Sequence, residues 1–315
     1  MILSLIMAVG LSGCGLLKSQ SSLDLYLQGQ MEAQQGNLPA ALSTLSAAIK
    51  ENPRLGVAYI ARANILKQMG NYEGAASDLE QVTRMEPYNF TANFELGTIY
   101  QHLKRFAQAV AAFEKSVEIR PLDPVANMDL ALAYMQLGEP IKGVYYAERS
   151  VQADPDSPTG NANLGAIYAQ TEYHTAAINS FKRAIELDSH QSEVYANLAQ
   201  EYIKLGNYEQ ARNVLETARA LAPSPLVYDR LGAACYKLQD FAKSREAFNE
   251  ALKMDGKYYS AFNGLGVVAM SQALTTTPSN IDLAKEAIGY WNKSLDINKD
   301  QPTIQNLVNQ YAPHE

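Results

Sequence analysis

The chain has few of the residues from which metal, redox and disulfide sites are built. Only two cysteines, Cys14 and Cys235, and four histidines occur in 315 residues. The cysteines lie in unrelated contexts, and no paired histidines accompany them, so the sequence predicts neither a disulfide framework nor a metal centre. It has no glycine-rich loop for phosphates or dinucleotides, and we therefore expect no cofactor.

Basic residues are also scarce and scattered. The chain has 26 Lys and Arg against 33 Asp and Glu, a net charge of −7, and no run of basic residues. Affinity for nucleic acid depends on cations that neutralise phosphates, so a nucleic-acid partner is not expected. Apolar residues nonetheless make up 47% of the chain, which predicts a folded protein.

The apolar run at residues 1–11 is too short to span a bilayer and has the length of a signal-peptide core. It ends in Leu11-Ser12-Gly13-Cys14, which resembles the lipobox of bacterial lipoproteins, although no basic residue precedes the run. The resemblance implies a signal peptide over residues 1–13, lipidation of Cys14 and a short tether over residues 14–21. An ordinary secretory signal is the alternative.

A lipid on Cys14 would anchor the protein to a membrane of the bacterial cell envelope, since several acyl chains give stable attachment. Gly15 follows the cysteine where retention in the inner membrane would favour Asp. We therefore expect the protein at the outer membrane, facing the periplasm.

The remaining chain is written in units of 34 residues. Pro53, Pro87, Pro121 and Pro155 follow one another at that interval, and the tetrapeptide Gly-Asn-Tyr-Glu recurs at 70–73 and 206–209. With this proline as position 32, blocks begin at residues 22, 56, 90, 124, 158, 192, 225 and 259.

The columns of this register carry a packing pattern. Positions 8 and 20 are small in all eight blocks, as two closely crossing helices require, and glycine is frequent at position 15, as in a turn. Position 24 supplies the bulk beside the small residues: Leu45, Leu79, Phe113, Ala147, Phe181, Leu215, Phe248 and Trp291. Cys235 occupies position 11, which is Tyr in several blocks, and is expected to be a small buried hydrophobe.

This pattern resembles the tetratricopeptide repeat, a helix–turn–helix unit of 34 residues. Its first-helix signature is matched by Leu96-Gly97 with Tyr100 and by Leu164-Gly165 with Tyr168. The resemblance implies an all-α protein, a right-handed superhelical solenoid of about eight repeats over residues 22–302. Because the repeats use the whole chain after residue 22, no room is left for a catalytic domain, and we expect no enzyme.

The last block departs from the register, with an insertion at about 273–281. Asn280 is placed to cap a lengthened helix from Ile281 toward Ile297. Residues 303–315 form a capping helix and tail, because an apolar stripe of helical spacing follows Pro302: Ile304, Leu307, Val308 and Tyr311.

In tetratricopeptide arrays the first helices line a concave groove, typically through positions 2, 5, 9, 12 and 13. Transferred by register, this face is mostly apolar and amide, and the resemblance implies a groove for a protein or peptide ligand. The peptide-binding residues that it implies are Tyr26, Gln30, Ile60, Asn64, Phe94, Thr98, Met128, Asn163, Asn197, Gln200 and Tyr236. As exposed groove residues they should tolerate change, so Phe94→Glu is expected to weaken binding with little loss of stability.

The family's clamp for an acidic C-terminal tail is not expected here. Asn64 stands at one of its positions, but the next block offers Glu95, whose carboxylate would repel the tail. The whole pattern loosely resembles the tetratricopeptide lipoproteins that act as pilotins for type IV pili and secretins. It favours a membrane-anchored scaffold that assists assembly of an envelope complex. A chaperone-like holdase for exported proteins and a recruiter of cell-wall enzymes are the alternatives.

Overall fold

Every regular element is an α-helix in the part of the chain that the computed structural model describes, which confirms the all-α class. The description covers the backbone of residues 10–276 and 280–311 and the side chains of residues 21–276 and 280–311. The first nine residues of the predicted signal peptide, residues 277–279 of the insertion and residues 312–315 of the tail lie outside it.

The helices form two compact units, the first ending at Asp154 and the second beginning at Pro155. In the first unit, consecutive helices pair into four antiparallel hairpins, each packed on the next. Its helices are α1 Gly10–Gln34, α2 Leu38–Glu51, α3 Gly56–Gln68, α4 Tyr72–Met85, α5 Phe90–His102, α6 Phe106–Ile119, α7 Pro124–Leu137 and α8 Pro140–Ala153. The backbone of α1 includes Cys14 and the predicted tether at 14–21, so this stretch is helical.

The second unit repeats the arrangement with four more hairpins and one terminal helix. Its helices are α9 Pro158–Gln170, α10 His174–Leu187, α11 Ser192–Lys204, α12 Tyr208–Leu221, α13 Pro225–Lys237, α14 Phe241–Met254, α15 Tyr259–Thr275, α16 Ile281–Ile297 and α17 Pro302–Tyr311.

Near the end of the chain, where the sequence departs from the 34-residue register, the helices form as predicted. The side chain of Asn280 accepts hydrogen bonds from the backbone N–H groups of Asp282 and Leu283, and α16 runs from Ile281 to Ile297. The helix α17 packs its apolar stripe against α16, around the buried Trp291.

The small and bulky columns meet inside each hairpin, as the register predicts. All eight residues at position 24 are buried, from 0% exposure at Phe113 to 3% at Phe248. They press on the small residues of the facing helix: a Cβ added at Gly97 would lie 2.6 Å from the ring of Phe113. Interaxial distance is set by the side chains at the crossing, so these columns fix the hairpin geometry.

In the first seven hairpins the turn depends on a residue in the left-handed conformation at position 15. Glycine takes it at Gly36, Gly70, Gly138 and Gly206, with φ between 77° and 85°. Three other repeats place Lys104, Glu172 and Gln239 there, with φ of 57°, 62° and 63°. This conformation costs a non-glycine residue roughly 1 kcal/mol, which the packing of the two helices offsets.

Candidate functional site

The residues predicted to bind a peptide lie on the first helices of the hairpins, and most are half-buried. The first unit contains seven of them, and the second contains Asn163, Asn197, Gln200 and Tyr236. Met128 is the exception, because it is buried at 7% exposure and offers little surface to a ligand.

A pocket of about 340 Å³ opens between α1 and α3 in the first unit. It contains two of the predicted residues, Gln30 and Asn64. The floor of the pocket is apolar and is formed by Ala33, Leu45, Ala61 and Ile65. Its rim consists of the amide side chains of Gln30, Gln34, Asn64 and Gln68. The volume is at the lower end of the roughly 300–1,000 Å³ found for ligand sites.

The amide rim is available to a ligand. Gln30 donates from Nε2 to the hydroxyl of Tyr26 at 2.9 Å. Among the described side chains, none is hydrogen-bonded to the amide of Gln34, Asn64 or Gln68. A carboxamide carries both a donor and an acceptor, like a peptide group, so this rim can pair with an extended backbone while the floor takes an apolar side chain.

Charge is balanced beside this pocket. Lys67 of α3 donates from Nζ to Oε2 of Glu95 on α5 at 2.6 Å. The cation that could have attracted an acidic tail is therefore already paired within the fold. A neutral ligand suits the pocket better than a carboxylate, since no charged residue lines it.

Phe94 is not the free groove residue that the sequence suggested. Its ring stacks on Phe90 at a centroid distance of 5.8 Å and meets Phe113, which is fully buried, at 5.7 Å. A charge at Phe94 would be placed against the core, so Phe94→Glu is expected to cost stability. The structure favours a larger loss than the sequence suggested, because position 5 faces the hairpin interior as well as the ligand side.

On the first helices of the second unit, several polar side chains are paired with one another. Oδ1 of Asn197 accepts a hydrogen bond from Nη1 of Arg230 at 3.2 Å, so this oxygen is already paired within the fold. Ser260 donates to both carboxylate oxygens of Asp229, at 3.1 and 3.0 Å. Burial raises the pKa of Asp229 to about 6 and lowers that of Arg230.

A buried carboxylate on α11 escaped the sequence analysis. Glu201 is 2% exposed, and its two oxygens meet Nδ1 of His174 at 2.6 Å and Nζ of Lys204 at 2.8 Å. Its register gave a usable signal: position 10 is apolar in the other seven repeats, Met31, Ile65, Ile99, Ala133, Ile167, Ala234 and Val268. A single charge in such a column predicts a buried ion pair.

Searches for metal clusters and membrane spans gave negative results over the described residues. No group of three or more His, Cys, Asp or Glu side chains there is arranged to hold a metal ion. None of the helices in that part of the chain has both the length and the apolar character needed to cross a bilayer.

Comparison with known families identifies the helical hairpin as a tetratricopeptide repeat. Models described as tetratricopeptide repeats match residues 60–124, 173–235 and 225–258. No curated protein sequence gives a significant match.

Solved structures with the same fold cover much of the chain. A tetratricopeptide repeat protein from Parabacteroides merdae is 15% identical, with a TM-score of 0.62 over 81% of this chain and 98% of that one. Pseudomonas aeruginosa pilF is 15% identical, with a TM-score of 0.55 over 69% and 98%. YrrB, described as having an unusual peptide-binding site, is 22% identical, with a TM-score of 0.51 over 57% and 92%. At these identities the likeness establishes the fold.

Proposed function

Because this chain is a tetratricopeptide-repeat protein, and such repeats are typically scaffolds that bind proteins or peptides, we propose that it holds a partner segment in the pocket between α1 and α3. The observation that carries this proposal is the combination of an apolar floor with the unpaired amides of Gln34, Asn64 and Gln68. The ligand is a neutral, extended segment with one apolar side chain for the floor. YrrB, which shares the fold, is described as binding a peptide.

The proposal extends to the place where the scaffold works. Lipidation of Cys14 would attach the protein to the bacterial outer membrane, facing the periplasm, where a bound partner would be held close to the membrane surface. The role that fits such an anchored scaffold is assistance in assembling an envelope complex, such as a pilus or a secretin. The lipobox-like Leu11-Ser12-Gly13-Cys14 is the feature that supports it.

The test is a pull-down of the full-length protein from mildly solubilised membranes, read by mass spectrometry. Ala33→Phe fills the pocket from its floor, and Asn64→Ala removes one rim amide. Asn179→Ala is the matched control, because Asn179 is an exposed amide on a second helix. Circular dichroism melts of each variant confirm that the fold is kept.

A few stoichiometric partners are expected with the wild type and Asn179→Ala, and they should be lost with Ala33→Phe and reduced with Asn64→Ala. Full retention by Ala33→Phe would remove the pocket from the proposal. A long set of substoichiometric exported proteins would replace the adaptor by a holdase.

A further inference from the structure

Tyrosine at position 11 fills the same place in two repeats of the first unit. The hydroxyl of Tyr100 on α5 donates to Oε1 of Glu80 on α4 at 2.8 Å. The hydroxyl of Tyr134 on α7 donates to Glu114 on α6 in the same way. Both rings are buried, at 6% and 4% exposure. In register terms, the ring at position 11 reaches the carboxylate at position 25 of the preceding repeat.

The seventh repeat keeps the carboxylate and lacks the ring. Position 11 is Cys235 of α13, and position 25 of the preceding repeat is Glu216 of α12. Cys235 is buried at 2% exposure, and burial raises the pKa of its thiol. The side chain is therefore a neutral, small hydrophobe that leaves the remaining volume of a tyrosine unfilled.

Beside Cys235 lies a pocket of about 350 Å³ between α12, α13 and α14, which is more space than one aromatic ring fills. Cys235 lies in its wall together with Leu231 and Ala247, and Glu216 lines it as well. The register match extends further: the hydroxyl of Tyr100 also faces Gln108 at position 19, and Lys243, at position 19 of the seventh repeat, lines the pocket. The pocket therefore shares an apolar wall and a carboxylate with the two tyrosine sites, and Arg219, Glu246 and Glu250 add charge to its lining.

The polar end is prepared to accept a hydrogen bond. Oε2 of Glu216 pairs with Nη2 of Arg219 at 2.6 Å, which leaves Oε1 for a donor, as Oε1 of Glu80 serves Tyr100. A hydrogen bond from a phenol to a carboxylate is stronger than one between neutral groups. An aromatic ring carrying a hydroxyl satisfies both the apolar wall and the carboxylate.

We propose that the pocket between α12, α13 and α14 binds a phenol ring, with the hydroxyl donating to Glu216 and the ring lying against Cys235, Leu231 and Ala247. The ring can belong to a free small phenol or to a tyrosine side chain of a bound polypeptide. The site is on different helices from the pocket between α1 and α3, so it is a second binding function and does not depend on the first.

The probe is p-cresol, the side chain of tyrosine as a free molecule, titrated into the full-length protein and followed by calorimetry and thermal shift. Toluene is the matched ligand, since it lacks only the hydroxyl. We expect saturable binding of p-cresol and about 10-fold or more weaker binding of toluene, the ratio that the charged hydrogen bond implies. N-acetyl-tyrosine amide is the third arm: binding similar to that of p-cresol assigns the site to a polypeptide tyrosine, and much weaker binding assigns it to a small phenol.

The matched variant is Cys235→Tyr, which should occupy the pocket with its own ring, abolish p-cresol binding and raise the melting temperature. Glu216→Ala provides an independent readout, because it should bring the affinities for p-cresol and toluene close together. The absence of saturable p-cresol binding would overturn the proposal, and so would unchanged binding in Cys235→Tyr or an unchanged preference over toluene in Glu216→Ala.

Discussion

The guanidinium group of Arg62 on α3 makes two hydrogen bonds to the carboxylate of Asp78 on α4, from Nε to Oδ2 at 2.7 Å and from Nη2 to Oδ1 at 2.6 Å. Asp78 is 4% exposed, so its charge is held away from water inside the second hairpin. Two parallel bonds of this kind fix orientation as well as distance, and the pair sets how α3 and α4 face each other.

Breaking this pair should be costly. Arg62→Met leaves the carboxylate of Asp78 buried without its partner, and we expect it to lower the free energy of unfolding by about 3 kcal/mol, measured by urea titration. The control is Lys253→Met, which removes a cation from the solvent-exposed pair with Glu250 and should change stability little. The double variant Arg62→Met, Asp78→Leu should recover most of the loss. Equal small effects of Arg62→Met and Lys253→Met would contradict the inference.

Glycine at the helix crossings should be irreplaceable where a ring fills the space. In Gly97→Ala the new methyl group would lie 2.6 Å from the ring of Phe113, which is fully buried and cannot yield. We expect a loss of roughly 1–3 kcal/mol in the free energy of unfolding. Gly289→Ala on α16 meets nothing within 4 Å and should instead stabilise, by up to about 1 kcal/mol, through helix propensity. Thermal melts of the two variants should therefore move in opposite directions.

Asp229 should make the second unit less stable as pH rises from about 4 to about 6. Burial raises its folded-state pKa to about 6, above the unfolded value of 3.8. In this window the folded protein holds a proton that the unfolded chain releases, so stability falls as pH rises through it, by about 2 kcal/mol.

The check is to compare melts of the wild type and Asp229→Asn at pH 4.5 and 7.5. The two proteins should differ little at the lower pH, and the variant should be more stable at the higher one. Ser260→Ala should push the pKa of Asp229 higher still, because the hydroxyl donates to the carboxylate. An identical pH dependence of wild type and Asp229→Asn would refute the assignment.

Cys14→Ser should release the protein from membranes into the soluble fraction, because the substitution removes the thiol that lipidation requires. The measurement is fractionation of cells expressing each form, with Cys235→Ser as the control that keeps the lipidation site. If the serine form stays with the membranes to the same extent, Cys14 is not the anchor.

The register of 34 residues predicted most of the fold. Small residues at positions 8 and 20 and bulk at position 24 predicted which side chains meet, and Phe113 against Gly97 is such a meeting. The cap at Asn280 and the terminal helix after Pro302 lie outside the register, and they were predicted from local sequence alone. The predicted domain boundaries at residues 13 and 21 and the lipid on Cys14 stay predictions.

The candidate site was predicted less completely. Gln30 and Asn64 were placed correctly on the first helices, but their meeting in one pocket depends on the small side chains of Ala33 and Ala61 around them. Phe94 and Met128 share position 5, where no residue is fully exposed: the ring of Phe94 packs on a core ring, and Met128 is buried. Burial at position 5 depends on the neighbouring repeat, and no single block encodes that neighbour.

Sequence by itself determined the repeating unit, its helices and the residues that face its core, because a 34-residue period imposes the same local contacts on every block. Only the tertiary structure decided where a departure from the repeat creates a pocket. Cys235 was visible as a missing tyrosine, but the resulting pocket exists because Glu216, from the preceding repeat, and Ala247, from the following helix, do not close over it. Such a space is made by three helices together, so its size and its polar end follow from packing.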